Sequence, residues 1–209
     1  YGANAVPDTM TIQDWPVGYD ELEPYYDRFD KVCGVSGKAG NLKGRKIAGG
    51  NVFEGPRSGE YPNRPMPPSE GGALFAAAAK GLGYHPFPLP FSAASAPYKN
   101  IYGVAMGACQ ECGFCTRTAC EASAKASSVS TIMPALRQEP KFELRTRVFV
   151  SKLLYDKAAR RVTGVLYTDL KTGAEYEQPA NIVVLSAFVF SNTHMLLHSG
   201  IGEPYDHAT

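Results

Sequence analysis

Proline and glycine crowd the middle third of the chain, and this feature restricts its fold more than any other. Residues 41–105 contain the runs "GPRSGEYPNRPMPP" and "YHPFPLPFSAASAPYKN". Proline lacks an N–H donor and fixes φ, so neither run can form a regular helix or a central strand. Between them, "GGALFAAAAKGLGY" predicts a short helix. Loops this long are usually functional or pack on other structure, and His85 is interpreted as an ordinary loop histidine.

The first 40 residues predict one amphipathic helix within "YDELEPYYDRFDKVCGVSG". Its apolar side chains recur at intervals of three and four residues: Leu22, Tyr25, Phe29 and Val32. Asp20 is the expected N-cap and Gly34 the expected end of the helix. Tyr25 and Phe29 are predicted to be core aromatic residues.

The last third of the chain changes to β-rich sequence. The runs "FELRTRVFVSKLLYD", "RRVTGVLYTD" and "GAEYEQPANIVVLSAF" predict a meander of three or four strands. Ile182–Leu185 is continuously apolar, which predicts a strand buried on both faces. The following "SNTHMLLHSGIG" predicts a short helix that ends at Gly200 or Gly202. The fold class is therefore expected to be α+β.

Size and charge exclude several classes of protein. The chain has 209 residues and a formal net charge of +1, without a basic block, so nothing indicates nucleic-acid binding. The longest apolar run, residues 182–190, is too short to predict a transmembrane segment. The sequence opens "YGANAVPDTM", with neither an initial Met nor a secretory signal, and we interpret it as a processed chain or a piece of a longer one.

Four of the five cysteines lie within twelve residues, at positions 109, 112, 115 and 120. The spacing C-x2-C-x2-C-x4-C is closer to an iron–sulfur pattern than to a pair of zinc knuckles, although the last gap is one residue too long. A disulfide, a zinc site or unligated structural thiols are the alternatives. Cys33 is interpreted as a small buried apolar residue.

Several stretches resemble the glucose-methanol-choline (GMC) flavoprotein oxidoreductases. "SAFVFSNTHMLLHSGIG" resembles the second signature of that family, "AKASSVSTIMPAL" its R/K-x-S…L-x-P-A segment, and "FELRTRVFVSKLLYDKAARRVTGVLYTD" its strand meander. In the first half, "TIQDWPVGYDELEPYYDRFDKVCGVSGKAGN" and "FEGPRSGEYP" narrow the resemblance to the gluconate 2-dehydrogenase and sugar-dehydrogenase branch. Three positions depart from the general signature: Phe188 replaces Gly, Asn192 replaces Ser or Thr, and Thr193 replaces Pro.

The resemblance implies an internal portion of a two-domain GMC fold. Residues 1–135 would form part of the substrate cap with the cysteine cluster. Residues 136–209 would form a meander and an edge of the Rossmann-like FAD-binding domain. Val150 matches the residue that meets the adenine of FAD, and Ser186 and Ala187 match the end of the strand that runs toward the flavin.

The resemblance leaves the catalytic base unassigned. The family's histidine base matches no position in these 209 residues, and the sequence has no G-x-G-x-x-G turn for the pyrophosphate. His194 and His198 lie on the last predicted helix and are interpreted as structural.

The implied function is oxidation of the CH–OH group of a sugar acid, sugar or polyol by FAD. Some members of this branch hold a three-iron [3Fe–4S] cluster, which predicts that Cys109, Cys112, Cys115 and Cys120 are metal ligands, with Cys112 as the spare. The expected partners are a small subunit and a cytochrome c subunit. The expected location is periplasmic or membrane-associated through those partners, and otherwise cytoplasmic. The alternatives are an iron–sulfur electron-transfer module without flavin and a disulfide-stabilised structural domain.

Overall fold

The computed structural model describes residues 15–204, so residues 1–14, including the start of the stretch "TIQDWP", and residues 205–209 lie outside the described part. The chain has mixed helix and sheet structure and divides between Phe142 and Glu143 into two compact units. No helix in the described range is both long enough and apolar enough to cross a bilayer.

The predicted first helix is present as α1, Tyr19–Cys33. It begins two residues earlier than predicted, and the prediction of Asp20 as N-cap is wrong: Gly18 is the N-cap, because the Glu21 carboxylate accepts the Gly18 N–H at 2.9 Å and closes the first turn. It ends as predicted at Gly34, whose φ of 60° lies in the left-handed region where glycine has no Cβ penalty. Cys33 is buried, as predicted.

The prediction that Tyr25 and Phe29 are core residues is wrong for the described structure. Tyr25 is 70% exposed and Phe29 is 57% exposed. The buried residues lie instead at the C-terminal end of the helix and just after it, at Cys33 and Val35. Helical periodicity shows which side chains share a face, but it does not show whether anything covers that face.

The rest of the first unit is mostly irregular chain between short elements. These are β1 (Asn41–Leu42) paired with β2 (Arg45–Lys46), α2 (Glu70–Gly81), β3 (Tyr98–Lys99) paired with β4 (Ala105–Met106), α3 (Ser128–Thr131) and α4 (Met133–Leu136). The helix predicted within residues 71–84 is therefore confirmed as α2, and Ser69 caps it by accepting the Gly72 N–H at 3.1 Å. Small side chains form the core of this unit: Ala39, Ala93, Ala94 and Ala124 are almost fully buried.

Buried polar side chains hold these loops together in place of the hydrogen bonds of a regular β-sheet. The Ser36 hydroxyl donates to the carbonyl of Ala93 at 2.6 Å and accepts the N–H of Ser95 at 2.9 Å. The Asn100 amide donates to the carbonyls of Val32 and Thr131, at 3.1 and 2.7 Å. Backbone groups that would otherwise lack partners in an irregular interior are satisfied in this way.

Arg57 forms an almost buried charge cluster in the same unit, with only 8% of its surface exposed. Its guanidinium donates to the Asp30 carboxylate at 2.6 Å, lies 3.7 Å from the Glu54 carboxylate and stacks 3.9 Å from the centre of the Tyr61 ring. The Tyr61 hydroxyl donates to Glu54 at 2.9 Å. Burial raises the pKa of Asp30, and the hydrogen bond from Arg57 opposes that rise.

The second unit contains the predicted meander. Strands β5 (Val148–Asp156), β6 (Arg161–Asp169) and β7 (Glu175–Pro179) form an antiparallel sheet in the order β5-β6-β7. The last predicted helix is α5 (Val189–His198), and Gly200 follows it with a φ of 69°. The buried Ser199 hydroxyl accepts the N–H of Leu153 at 2.9 Å, which joins the end of α5 to the sheet.

The prediction of a fully buried strand at Ile182–Leu185 is wrong for the described structure. This segment has no regular secondary structure and belongs to no sheet, and Ile182 and Val184 are 83% and 79% exposed. A strand buried on both faces requires hydrogen-bonding neighbours and two covering layers. In the part of the chain that the structure describes, the only three-stranded sheet is the meander, and it does not include this segment.

Replacing Arg57 tests the importance of the charge cluster. Arg57→Met should lower the free energy of unfolding by about 3 kcal/mol, because Asp30 and Glu54 would keep buried negative charge without a cation. Urea denaturation followed by circular dichroism measures the loss.

Lys31→Met is the matched control. Lys31 pairs with Asp27 at 2.6 Å, but its side chain is 46% exposed, so its loss should change stability by only about 0.5 kcal/mol. Equal small effects in the two variants would contradict a structural role for Arg57.

Candidate functional site

The three predicted cofactor residues line one cavity in the second unit. Val150 on β5 and Ser186 and Ala187 before α5 share a cavity of about 720 Å³. Its other walls are mostly apolar, from Val148, Phe149, Val165, Val183, Val184, Leu185, Phe190 and Met195, with Ser191 and His194 contributing polar groups. A cavity of this size, apolar with a few polar groups, is typical of a small-molecule or cofactor site.

A break in the sheet register lies beside Val150. Val150 pairs with Tyr167 of β6, and the register then shifts before Lys152 pairs with Leu166. Such a bulge bends a strand and changes the direction of nearby side chains. The half-buried Val150 therefore lies where the strand departs from regular pairing.

Asn192 fixes the segment that carries Ser186 and Ala187. Its side-chain oxygen accepts the N–H of Ala187 at 2.9 Å, and its side-chain nitrogen donates to the carbonyl of Leu185 at 3.3 Å. One amide side chain thus satisfies two backbone groups of a segment that has no strand partner. Sequence reasoning noticed Asn192 only as a departure from the signature. Its position one turn into a helix was the available signal, because Asn commonly bonds nearby backbone.

Phe188 has an unusual backbone conformation for its residue type. Its φ is 75° and its ψ is 149°, a region that is close to glycine-only. This is the position at which the family signature has Gly. The Phe188 ring is 67% exposed and packs edge-on against Phe190, with ring centres 5.4 Å apart. Local strain is therefore present at Phe188, between the cavity-lining residues Ala187 and Phe190.

A second cavity, of about 460 Å³, lies in the first unit and is lined by all four clustered cysteines: Cys109, Cys112, Cys115 and Cys120. The loop is anchored at several backbone points. The Lys125 ammonium donates to the carbonyls of Cys115 and Thr118, at 2.6 and 3.3 Å, and the Cys109 N–H donates to the carbonyl of Ala94 at 2.8 Å. Gly107 begins the loop where a Cβ would lie 2.1 Å from the Ala122 carbonyl oxygen, so only glycine fits.

The thiols of this protein have different surroundings. Backbone N–H groups, first that of Lys125 and then those of Ala124 and Ala122, lower the pKa of the Cys120 thiol. Burial raises the pKa of the Cys33 thiol. The Glu111 N–H also donates to the Cys109 sulfur at 3.4 Å. At Cys120 these backbone donors stabilise the thiolate form.

The arrangement of the thiols does not fit a metal cluster. Within residues 15–204, no three His, Cys, Asp or Glu side chains lie close enough together to hold a metal ion. All five cysteines are free thiols, so the disulfide alternative has no support either. The structure brings the four cysteines to one cavity without bringing them into ligand geometry, and the predicted iron–sulfur cluster gains no support from it.

The histidines occupy different places. His85 lies in a loop, as interpreted from the sequence, and is exposed. His194 lines the 720 Å³ cavity, and His198 lines a separate polar groove beside β5. Sequence reasoning did not identify His194 as a cavity residue.

Comparison with known proteins shows the family of the chain. The family model of the GMC oxidoreductases matches residues 93–207. The chain therefore belongs to the GMC oxidoreductase family, whose members are FAD-dependent flavoproteins.

Individual members of the family show which proteins the chain resembles. The gluconate 2-dehydrogenase flavoprotein of Pantoea cypripedii is 47% identical over the whole chain, which covers 34% of that protein. The 6'''-hydroxyparomomycin C oxidase of Streptomyces lividus is 28% identical over 88% of the chain, which covers 31% of the relative. The 2-methyl-1,2-propanediol dehydrogenase of Mycolicibacterium austroafricanum is 28% identical over 89% of the chain, which covers 30% of the relative. The chain thus spans about a third of the length of these relatives.

Introducing the glycine of the family signature at position 188 tests the backbone strain at Phe188. Phe188→Gly should stabilise the protein by about 1 kcal/mol, because relief of about 1–3 kcal/mol of backbone strain outweighs the entropy cost of a glycine. Differential scanning calorimetry should show a higher unfolding temperature.

Phe190→Gly provides the control, because it introduces glycine into α5 itself and should destabilise by about 1 kcal/mol. A loss of stability in both variants would show that Phe188 is not strained.

Proposed function

We propose that this chain is a portion of an FAD-dependent dehydrogenase that oxidises the CH–OH group of a sugar acid, sugar or polyol, with gluconate as the first substrate to test. Membership of the GMC family supports the flavin chemistry. The 47% identity with a gluconate 2-dehydrogenase flavoprotein over the whole chain supports the substrate class. The observation that carries the proposal is the cavity that Val150, Ser186 and Ala187 share.

The 720 Å³ cavity fits the nucleotide end of FAD. None of its lining residues is acidic, so no carboxylate there would repel the cofactor's phosphates. Val150 would hold the adenine, and Ser186 and Ala187 would contact the cofactor where the chain turns toward α5. When bound, FAD accepts the hydride from the substrate carbon. The residues described here bind and orient it, and we assign no catalytic base among them.

The onward path of the electrons is a further part of the proposal. A cytochrome c subunit and a small subunit would be the partners, and the complex would be periplasmic or membrane-associated through them. An iron–sulfur cluster at the cysteine loop stays a prediction. Four thiols on one cavity favour it, while their separation in the described structure speaks against it.

Flavin content tests the main proposal. The full-length protein that carries this chain should hold one FAD per polypeptide, with a flavin absorption spectrum, and should oxidise gluconate with an artificial electron acceptor. Ala187→Phe should weaken FAD binding about tenfold or more, because the added ring would crowd the cavity. Fluorescence of the released flavin measures this.

Ile182→Phe is the control, because Ile182 is exposed and lies outside the cavity lining. Equal FAD retention in the two variants would place the cofactor elsewhere. A full-length protein without flavin would favour a different class: an iron–sulfur module if it is brown, or a structural domain if it is colourless.

Metal analysis tests the cysteine loop separately. If the loop closes around a cluster, anaerobically purified full-length protein should contain iron and sulfide, and Cys115→Ser should lose both. Cys33→Ser, outside the loop, should keep them. Full iron content in the Cys115 variant, or none in the parent, would reject the cluster and leave the flavin proposal intact.

A further inference from the structure

Two histidines on α5 face each other at the spacing of one helical turn. His194 and His198 are both exposed, and their rings stack with centres 5.9 Å apart and planes inclined by only 6°. Residues at i and i+4 lie on the same helical face, so the two imidazoles point into the same region beside the helix. Neither ring takes part in the hydrogen bonds that join α5 to the sheet, which come from Ser199.

This arrangement has the chemistry of a bidentate metal site. Two histidines four residues apart on a helix are a recurrent way to bind a first-row transition metal, because both ring nitrogens can reach one ion. A helix of ten residues holds the pair at a fixed spacing, so little conformational entropy is lost when the ion binds. Small rotations of the two exposed side chains would bring their nitrogens to a shared ion.

The surroundings of the two histidines would neither repel a metal cation nor supply a complete set of protein ligands for it. No Asp, Glu, Lys or Arg side chain lines the cavity beside His194. The groove beside His198 contains two acidic and two basic residues, Asp156, Glu177, Lys152 and Lys157, so its formal charges balance. Among residues 15–204 no third protein ligand is in reach, so water would complete the coordination, as in open metal sites.

We propose that His194 and His198 form a binding site for a divalent first-row transition metal ion, such as Ni²⁺, Cu²⁺ or Zn²⁺, with water as the remaining ligands. The ion would sit at the border between the polar groove and the cavity assigned to the cofactor. The site is separate from the cysteine loop in sequence and in ligand type. It does not depend on the proposed dehydrogenase function.

Nickel titration of the full-length protein tests the proposal. Ni²⁺ is suited to imidazole ligands, and nickel bound through nitrogen lacks the intense charge-transfer absorption of nickel thiolates, which separates this site from the cysteine loop. Isothermal titration calorimetry at neutral pH should show one site per chain that binds nickel through nitrogen. His194→Gln and His198→Gln should each weaken binding about tenfold to a hundredfold, and the double variant should be little worse than either single variant, because one remaining histidine is no chelate.

His85→Gln is the matched control, since it removes an exposed histidine from a loop and should leave the nickel affinity unchanged. Circular dichroism checks that each variant is folded. The proposal would be overturned if the unsubstituted protein did not bind nickel through nitrogen, or if either α5 variant kept the same nickel affinity. Neither outcome would bear on FAD binding, which the flavin measurement decides.

Discussion

The guanidinium of Arg57 is the interaction on which the irregular first unit depends. It joins the end of α1, through Asp30, to the loop that carries Glu54 and Tyr61. In a region where proline and glycine prevent long ladders, few backbone hydrogen bonds are available to set the path of the chain. A planar cation with several donors can satisfy partners from separate segments at once. The cost of burying it is offset because two carboxylates and an aromatic face surround it.

The same rule governs the rest of this unit, where small or polar side chains determine the loop geometry. Ser36 and Asn100 bond to the backbone of distant segments, and the alanine core allows those segments to approach closely. The cysteine loop is held by backbone contacts of this kind, with Lys125 bridging two carbonyls. Its sulfur atoms therefore surround a cavity because of the path of the backbone, with no bond between them.

In the second unit, one polar side chain and one strained residue lie beside the 720 Å³ cavity. Asn192 supplies the hydrogen bonds that a neighbouring strand would give to the segment before α5. Phe188 takes a backbone conformation that suits glycine, and its ring packs on Phe190 at the cavity edge. Strain of this kind commonly accumulates at binding sites, where geometry matters more than local stability. Two of the three departures from the family signature, Phe188 and Asn192, thus contact or adjoin residues that line the cavity.

The sequence alone determined the local elements whose causes are local. Periodicity predicted α1, an apolar run between proline-rich segments predicted α2, the run before Gly200 predicted α5, and β-rich runs predicted the meander, because short-range sterics and hydrogen bonding decide those states. The family motifs assigned Val150, Ser186 and Ala187 to the cofactor, and the tertiary structure brings them to one cavity. Only the tertiary structure decided what covers an apolar face and what pairs with a strand. Tyr25, Phe29 and the Ile182–Leu185 segment were assigned to a core from their apolar pattern, but burial depends on neighbours that such a pattern does not describe.

The cysteine spacing likewise predicted a shared location but could not determine whether the sulfur atoms converge, because that depends on where Gly107, Lys125 and the alanine core hold the backbone.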